Sequence, residues 1–149
     1  MSTENKIVIF KLDNEEFAAD ISQVERILSY IEPTKIPESP DYVLGVINYQ
    51  NNIIPIIDLR KRFGLPNRDE TKDKKIIVVR FENKNIGLVV DNVSEVLDID
   101  TKNMEESPDL IRGKENKYLS NIIKLQNRII MMINTEKIIS KEEIAELEI

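Results

Sequence analysis

The sequence predicts a mainly β fold of two small barrels packed together. Short apolar, β-branched runs recur along the chain, separated by polar turns. The second half repeats the first in the same order. The stretches between runs are too short, or too rich in proline, for long helices.

Ile7 to Leu12 is the first strand, Asp13-Asn14-Glu15-Glu16 the turn, and Phe17 to Ile21 the returning strand of a hairpin. Ser22-Gln23-Val24-Glu25 has capping-box spacing, which predicts a short helix start there. Pro33, Pro37 and Pro40 keep the next segment extended or turned. Val43 to Ile47 and Ile53 to Leu59 are strands joined by Tyr49-Gln50-Asn51-Asn52. Pro55 cannot donate to a ladder, so its strand should be an edge or carry a bulge. The charged stretch 66–75 reads as a surface connection between halves, and Arg60-Lys61-Arg62 reads as solvated surface. Ile76 to Phe81 and Ile86 to Val90 form a hairpin across Glu82-Asn83-Lys84-Asn85. Residues 100–117 are polar and irregular, and Tyr118 to Leu125 pairs with Arg128 to Ile133 across Gln126-Asn127. Ser140 and Glu143 fit a second capping box, opening a C-terminal helix over 140–148.

The repeat is countable. Shifted by 69, Ile7–Leu28 falls without gaps on Ile76–Leu97. Shifted by 76, Tyr42–Phe63 falls on Tyr118–Ile139 with eight identities in 22 positions. Chance gives about two in this composition, so duplication is the better account. The offset grows by seven, placing an insertion between residues 98 and 117. The approximate lobes are 7–68 and 76–139. Each has four or five strands and a helical turn, a shape suited to a barrel that closes its edges.

Composition removes many functions. The chain has 149 residues and net charge −6, with neither Cys nor His. Disulfides, thiolate and imidazole catalysis, and Cys or His metal sites are excluded. A metal would need oxygen ligands. The acidic balance argues against nucleic acid. No apolar run reaches the ~18 residues of a membrane span, and the polar start is not a signal peptide, so a cytoplasmic protein is expected. No phosphate-binding glycine motif is present. Asp91 and Glu95 could share a helical face as an acid–base pair, but solvent-facing carboxylates are the simpler expectation. No catalytic residue, cofactor or metal ligand is assigned. A groove between two lobes could instead take a small ligand or metal.

Gly45-Val46-Ile47-Asn48 followed by Ile53-Ile54-Pro55-Ile56-Ile57-Asp58-Leu59-Arg60 resembles the CheW family of bacterial chemotaxis adaptors. Ile9-Phe10-Lys11-Leu12 with Glu15-Glu16-Phe17 resembles the family's opening hairpin, and Ile21 to Ile27 its following helical turn. Gly87 to Leu97, Tyr118-Leu119 and the closing helix also fit, so the resemblance covers residues 6–147. It implies one CheW-like domain over 6–149, made of two five-stranded Src-homology-3-like barrels with short helices and a C-terminal helix. It implies a non-enzymatic adaptor, monomeric when isolated, that couples chemoreceptor cytoplasmic tips to the regulatory domain of the histidine kinase CheA. Recruitment to membrane-associated receptor arrays would follow, without membrane insertion. By resemblance, Val24, Gly45, Asn48, Gln50 and Val96 would contact the receptor. Ile27, Tyr30 and Thr34, with Leu110 near Pro108 on the opposite barrel, would contact the kinase. Two departures stand out. After Asn48 the family usually has a hydrophobic residue and then Arg-Gly, where this chain has Tyr49-Gln50-Asn51. Asn121 stands where the second copy usually has Gly. Gln50 can donate but carries no charge, and Asn51 suits a positive-φ turn better than most residues.

Overall fold

The computed structural model describes residues 4–66, 73–106, 118–140, 142, 143 and 145. Alternating apolar runs become strands β1 (Glu4–Leu12), β2 (Glu15–Asp20), β3 (Val24–Ser29), β4 (Val43–Tyr49), β5 (Asn52–Asp58) and β6 (Lys75–Phe81). They continue as β7 (Lys84–Val90), β8 (Asn92–Asp100), β9 (Met104–Glu106), β10 (Leu119–Leu125) and β11 (Arg128–Ile133). Two single-turn helices follow β5 and β11: α1 (Leu59–Arg62) and α2 (Thr135–Ile138). The fold is mainly β, as the sequence predicts.

One sheet runs β8-β1-β2-β11-β10-β9 and the other β3-β6-β7-β5-β4. The first has six strands rather than five because the chain leaves β8, makes a 3-10 turn at Thr101–Asn103 and returns as the three-residue β9. Neither sheet is one half of the sequence. The β1–β2 hairpin joins strands of the second half, and the β6–β7 hairpin joins strands of the first. The duplicated units have exchanged hairpins.

The registers obey the sequence offsets. Ile7, Val8 and Ile9 pair with Leu97, Val96 and Glu95, while their equivalents Ile76, Ile77 and Val78 pair with Leu28, Ile27 and Arg26. Ala18 lies parallel to Met132, and its equivalent Gly87 lies parallel to Ile56. Period-two alternation then sorts side chains into three cores. Ile7, Ile9, Ala18, Ile123 and Ile130 fill one barrel. Ile47, Ile54, Ile56, Ile76 and Val78 fill the other. Phe10, Leu12, Phe17, Ile57, Ile77, Val79, Leu88 and Ile138 form the seam between them.

Three local expectations need correcting. The Ser22–Glu25 spacing does not start an α-helix. Asp20 accepts the Ser22 amide at 2.9 Å and caps a 3-10 turn at Ile21–Gln23, after which β3 pairs with β6. Sheet pairing of β-branched Val24 and Ile27 outweighs the cap signal. Residues 92–100 are likewise a strand, so Asp91 and Glu95 share no helical face. Pro55 lies on β5, which is interior, but pairing with β7 begins only at Ile56, so the proline occupies a stretch paired on one side. The second capping box holds: Glu143 accepts from the Ser140 amide at 2.8 Å, and Ser140 Oγ accepts from the Glu143 amide at 3.0 Å. Glu142, Glu143 and Ala145 are helical. Residues 67–72 of the charged connection lie outside the described residues.

Candidate functional site

Most of the residues singled out in the sequence lie on or beside the outer edge of one barrel. Asn48 is exposed near the end of β4, and Gln50 is exposed in the turn that follows. Gln50 and Asn51 have φ of 51° and 65°, the paired left-handed conformation of a type I′ hairpin. Thr34 is exposed and forms an isolated antiparallel bridge with Val46. Tyr30 is half-buried against the barrel interior, with Lys74 Nζ 4.7 Å from its ring centroid. Burial, and then the neighbouring Glu32 carboxylate, pushes the Tyr30 hydroxyl above its usual range.

Gly45 is different. It is buried, so it offers no side chain or exposed surface to a partner. Val24 pairs with Val79 and packs against the seam. Ile27 is 38% exposed on β3 and Val96 is 49% exposed on β8. The offset of 69 makes those two positions equivalent, so they occupy matching places on the two sheets. The structure therefore gathers Thr34, Gly45, Asn48 and Gln50, but puts Val96 on the other sheet. Leu110 and Pro108 lie outside the described residues.

Large exposed apolar side chains add what the motifs missed. Ile53, 55% exposed, is paired with Asn48 and extends that surface. Its equivalent at the offset of 76, Ile129, is 61% exposed on the other sheet. Ile31, 49% exposed, stands next to Tyr30. Exposed apolar surface of this kind marks interfaces. The repeat itself carried the signal: Ile53 and Ile129 are identical residues at equivalent positions.

Arg60 and Arg62 are not the solvated residues expected. Arg60 is 5% exposed. Its Nε donates to Asp91 Oδ1 at 2.8 Å and its Nη2 to Asp91 Oδ2 at 3.0 Å. It also donates to the Asp13 carboxylate and to the Pro66 carbonyl. Asp91 in turn accepts the Asp13 amide at 2.8 Å. The bond to Asp91 raises the Arg60 pKa, against burial, with Asp13 adding to it. Asp91 is thus committed to structure. Glu95 contacts Arg128 at 3.0 Å, so the two carboxylates serve different partners rather than one acid–base site.

Arg62 lies over the Tyr42 ring at 4.1 Å and 5.3 Å from the Tyr118 centroid, between equivalent tyrosines of the two copies. It donates to the Ile138 carbonyl at 2.7 Å and to Glu143 Oε1 at 2.7 Å. Glu143 also accepts from the Tyr42 hydroxyl. Partial burial works against ionisation of Glu143, but the bonds from Tyr42, the Ser140 amide and Arg62 outweigh it and bring the carboxyl down to about 2. Burial, then the bond to Glu143, pushes Tyr42 up to about 12.

The space between the sheets is filled by the seam residues. A cleft of about 440 Å³ opens beside it, lined by Arg62, Phe81, Glu82, Glu136, Lys137 and Glu143 among others. Among the described residues, none of the motif-derived contact residues lines this cleft. Among the described residues no cluster of carboxylates could hold a metal ion, and no helix is long and apolar enough to cross a membrane.

Comparison with known proteins agrees with this architecture. The family described as the CheW-like domain matches residues 6–143. A chemotaxis protein CheW of Klebsiella aerogenes is 34% identical over 94% of this chain and 84% of its own length. One from Bacillus subtilis is 29% identical over 95% of this chain and 91% of its own. The crystal structure of a scaffolding protein, TtCheW from Thermoanaerobacter tengcongensis, superposes with a TM-score of 0.83 at 37% identity, over 88% of this chain and 89% of that one.

Proposed function

Since this chain belongs to the CheW family of non-enzymatic chemotaxis scaffolds, we propose that it couples chemoreceptor cytoplasmic tips to the regulatory domain of the histidine kinase CheA. In this reading the protein works in the cytoplasm, at arrays beneath the membrane. The observation that supports it best is the exposed edge of one barrel. Asn48, Gln50 and Ile53 face out there, next to the segment that carries Ile27, Tyr30, Ile31 and Thr34. That edge has apolar side chains for burial and amides for orientation, the composition of a modest interface. Receptor tips would take the β4 side through Asn48 and Gln50, with Val24 at the seam and Val96 exposed on β8 of the other sheet. The kinase domain would take the Ile27–Thr34 side, with Leu110, which lies outside the described residues, added by the family resemblance. Each contact is weak alone, and simultaneous contacts raise effective concentration.

Calorimetric titration with CheA regulatory domain and a receptor-tip fragment, singly and together, tests the proposal. Saturable binding of both at once supports it. Failure to bind either at tens of micromolar would sink it.

A further inference from the structure

Gly45 sits directly beneath the Thr34 backbone. A Cβ at position 45 would lie 2.1 Å from the Thr34 carbonyl oxygen and 2.6 Å from its carbon. Those are main-chain atoms, so no rotamer change relieves the clash. The φ of Gly45, +144°, is also one that side-chain-bearing residues avoid.

Above this contact Thr34 and Val46 exchange both amide bonds, each 2.9 Å. The segment between Ser29 and Val43 carries three prolines, which cannot donate. Among the described residues, Thr34 supplies the backbone hydrogen bonds that tie the segment before Pro40 to a strand. The other barrel provides an internal control. Gly45 is equivalent to Asn121, and both follow a register shift, between Val43 and Gly45 and between Leu119 and Asn121. Asn121 is not at positive φ, and there the closing strand β9 makes a three-residue ladder with β10. The bulge therefore tolerates a side chain; the close approach of Thr34 does not.

We infer that Gly45 is a positioning residue and that the Thr34–Val46 bridge couples the two partner surfaces. This rests on the reading above, since the bridge joins the receptor-side strand β4 to the kinase-side segment. A partner that fixes the β4 edge stabilises the docked position of Thr34, and by linkage a partner on the segment steadies β4. Gly45 thus acts without touching either partner.

Crossed variants test this in the full chain. Gly45→Ala should speed amide exchange at Thr34 and Val46 about tenfold while leaving β6 and β7 protected. It should also weaken binding of CheA regulatory domain about fivefold, although residue 45 lies off that surface. Thr34→Pro removes one of the two bridge donors and should weaken receptor-fragment binding, although residue 34 lies on the kinase side. Unchanged exchange at Thr34 and Val46, or loss of only the partner on the mutated side, overturns the inference. If Gly45→Ala does not fold, Thr34→Pro decides by the same criterion. Wild-type protein that binds neither partner overturns the functional reading and the coupling with it. Exchange, which needs no partner, then reports separately whether Gly45 positions Thr34.

Discussion

Arg60 and Asp91, 31 residues apart, form a two-pronged ion pair almost withdrawn from water, their side chains 6% and 10% exposed. The pair joins α1 to the junction of β7 and β8, and through Asp13 it holds the tip of the β1–β2 hairpin. Removing one partner leaves a buried charge unmatched. Arg60→Ala is therefore expected to cost ~3–5 kcal/mol of unfolding free energy. Arg60→Lys should recover little, because a lysine cannot span both carboxylate oxygens. Urea denaturation of the two variants checks both statements.

Arg128 makes the contrasting case. It binds Glu16 at 3.0 and 2.6 Å and Glu95 at 3.0 Å, but its side chain is 38% exposed. The bond from Arg128 lowers the Glu16 pKa despite some burial. Arg128→Ala should cost no more than ~1 kcal/mol, and about 1 M salt should remove most of that difference. Melts at two ionic strengths separate this surface brace from the Arg60 lock.

The Glu143 carboxyl is held at about 2, below its ordinary 4.5. Its folded pKa is depressed, so its stabilisation is present above pH 4.5 and fades as pH falls through about 2. Glu143→Gln should be less stable than wild type at neutral pH, and the gap should narrow below pH 4.5. Tyr42 runs the other way: its raised pKa stabilises below pH 10 and is lost as pH climbs through about 12. Thermal denaturation of Glu143→Gln and wild type across acid pH tests the first statement.

Tyr49 places a buried hydroxyl in a barrel interior with no hydrogen-bond partner among the described residues. Its equivalent in the other copy is Leu125. Tyr49→Phe removes an unsatisfied polar group at nearly constant shape and should be neutral or stabilising by up to ~1 kcal/mol. A fall in stability beyond that would mean the hydroxyl has a partner.

At the hairpin tip, Asn51 occupies φ 65°. Asn51→Ala should cost ~1 kcal/mol, whereas Asn51→Gly should be neutral or slightly stabilising. On the functional proposal, Gln50→Arg should tighten receptor-fragment binding by adding a charged multi-donor group. Chemical denaturation and calorimetry read the two effects separately.

Strand runs were legible because period-two alternation is a local property. The sequence repeat was legible because Tyr42, Gln50, Asn51, Ile53 and Ile57 recur at one offset. Hairpin exchange was not, since nothing in residues 7–21 states whether they pair with the first half or the second. Ser22 and Glu25 misled because capping spacing is a local signal and sheet pairing with β6 is not. Arg60 looked solvated within its basic run. Only the tertiary arrival of Asp13 and Asp91 makes it a buried group. Asn48 and Gln50 were found through the family motif, and Ile53 could have been found through its identity with Ile129.

The hairpin exchange also bears on synthesis. A ribosome delivers β1 and β2 first, but their neighbours are β8 and β11, whose residues begin at Asn92 and Arg128. The opening hairpin leaves the exit tunnel with neither flank covered, and an exposed apolar hairpin invites mispairing. β3, β4 and β5 likewise wait for β6 and β7. The five-stranded sheet is complete only when β7 ends at Val90, and the six-stranded sheet only when β11 ends at Ile133. Contacts between such distant segments also slow the search. A product cut at the midpoint of the repeat, before β6 and β7, would therefore be prey for chaperones and proteases rather than a half-size working barrel.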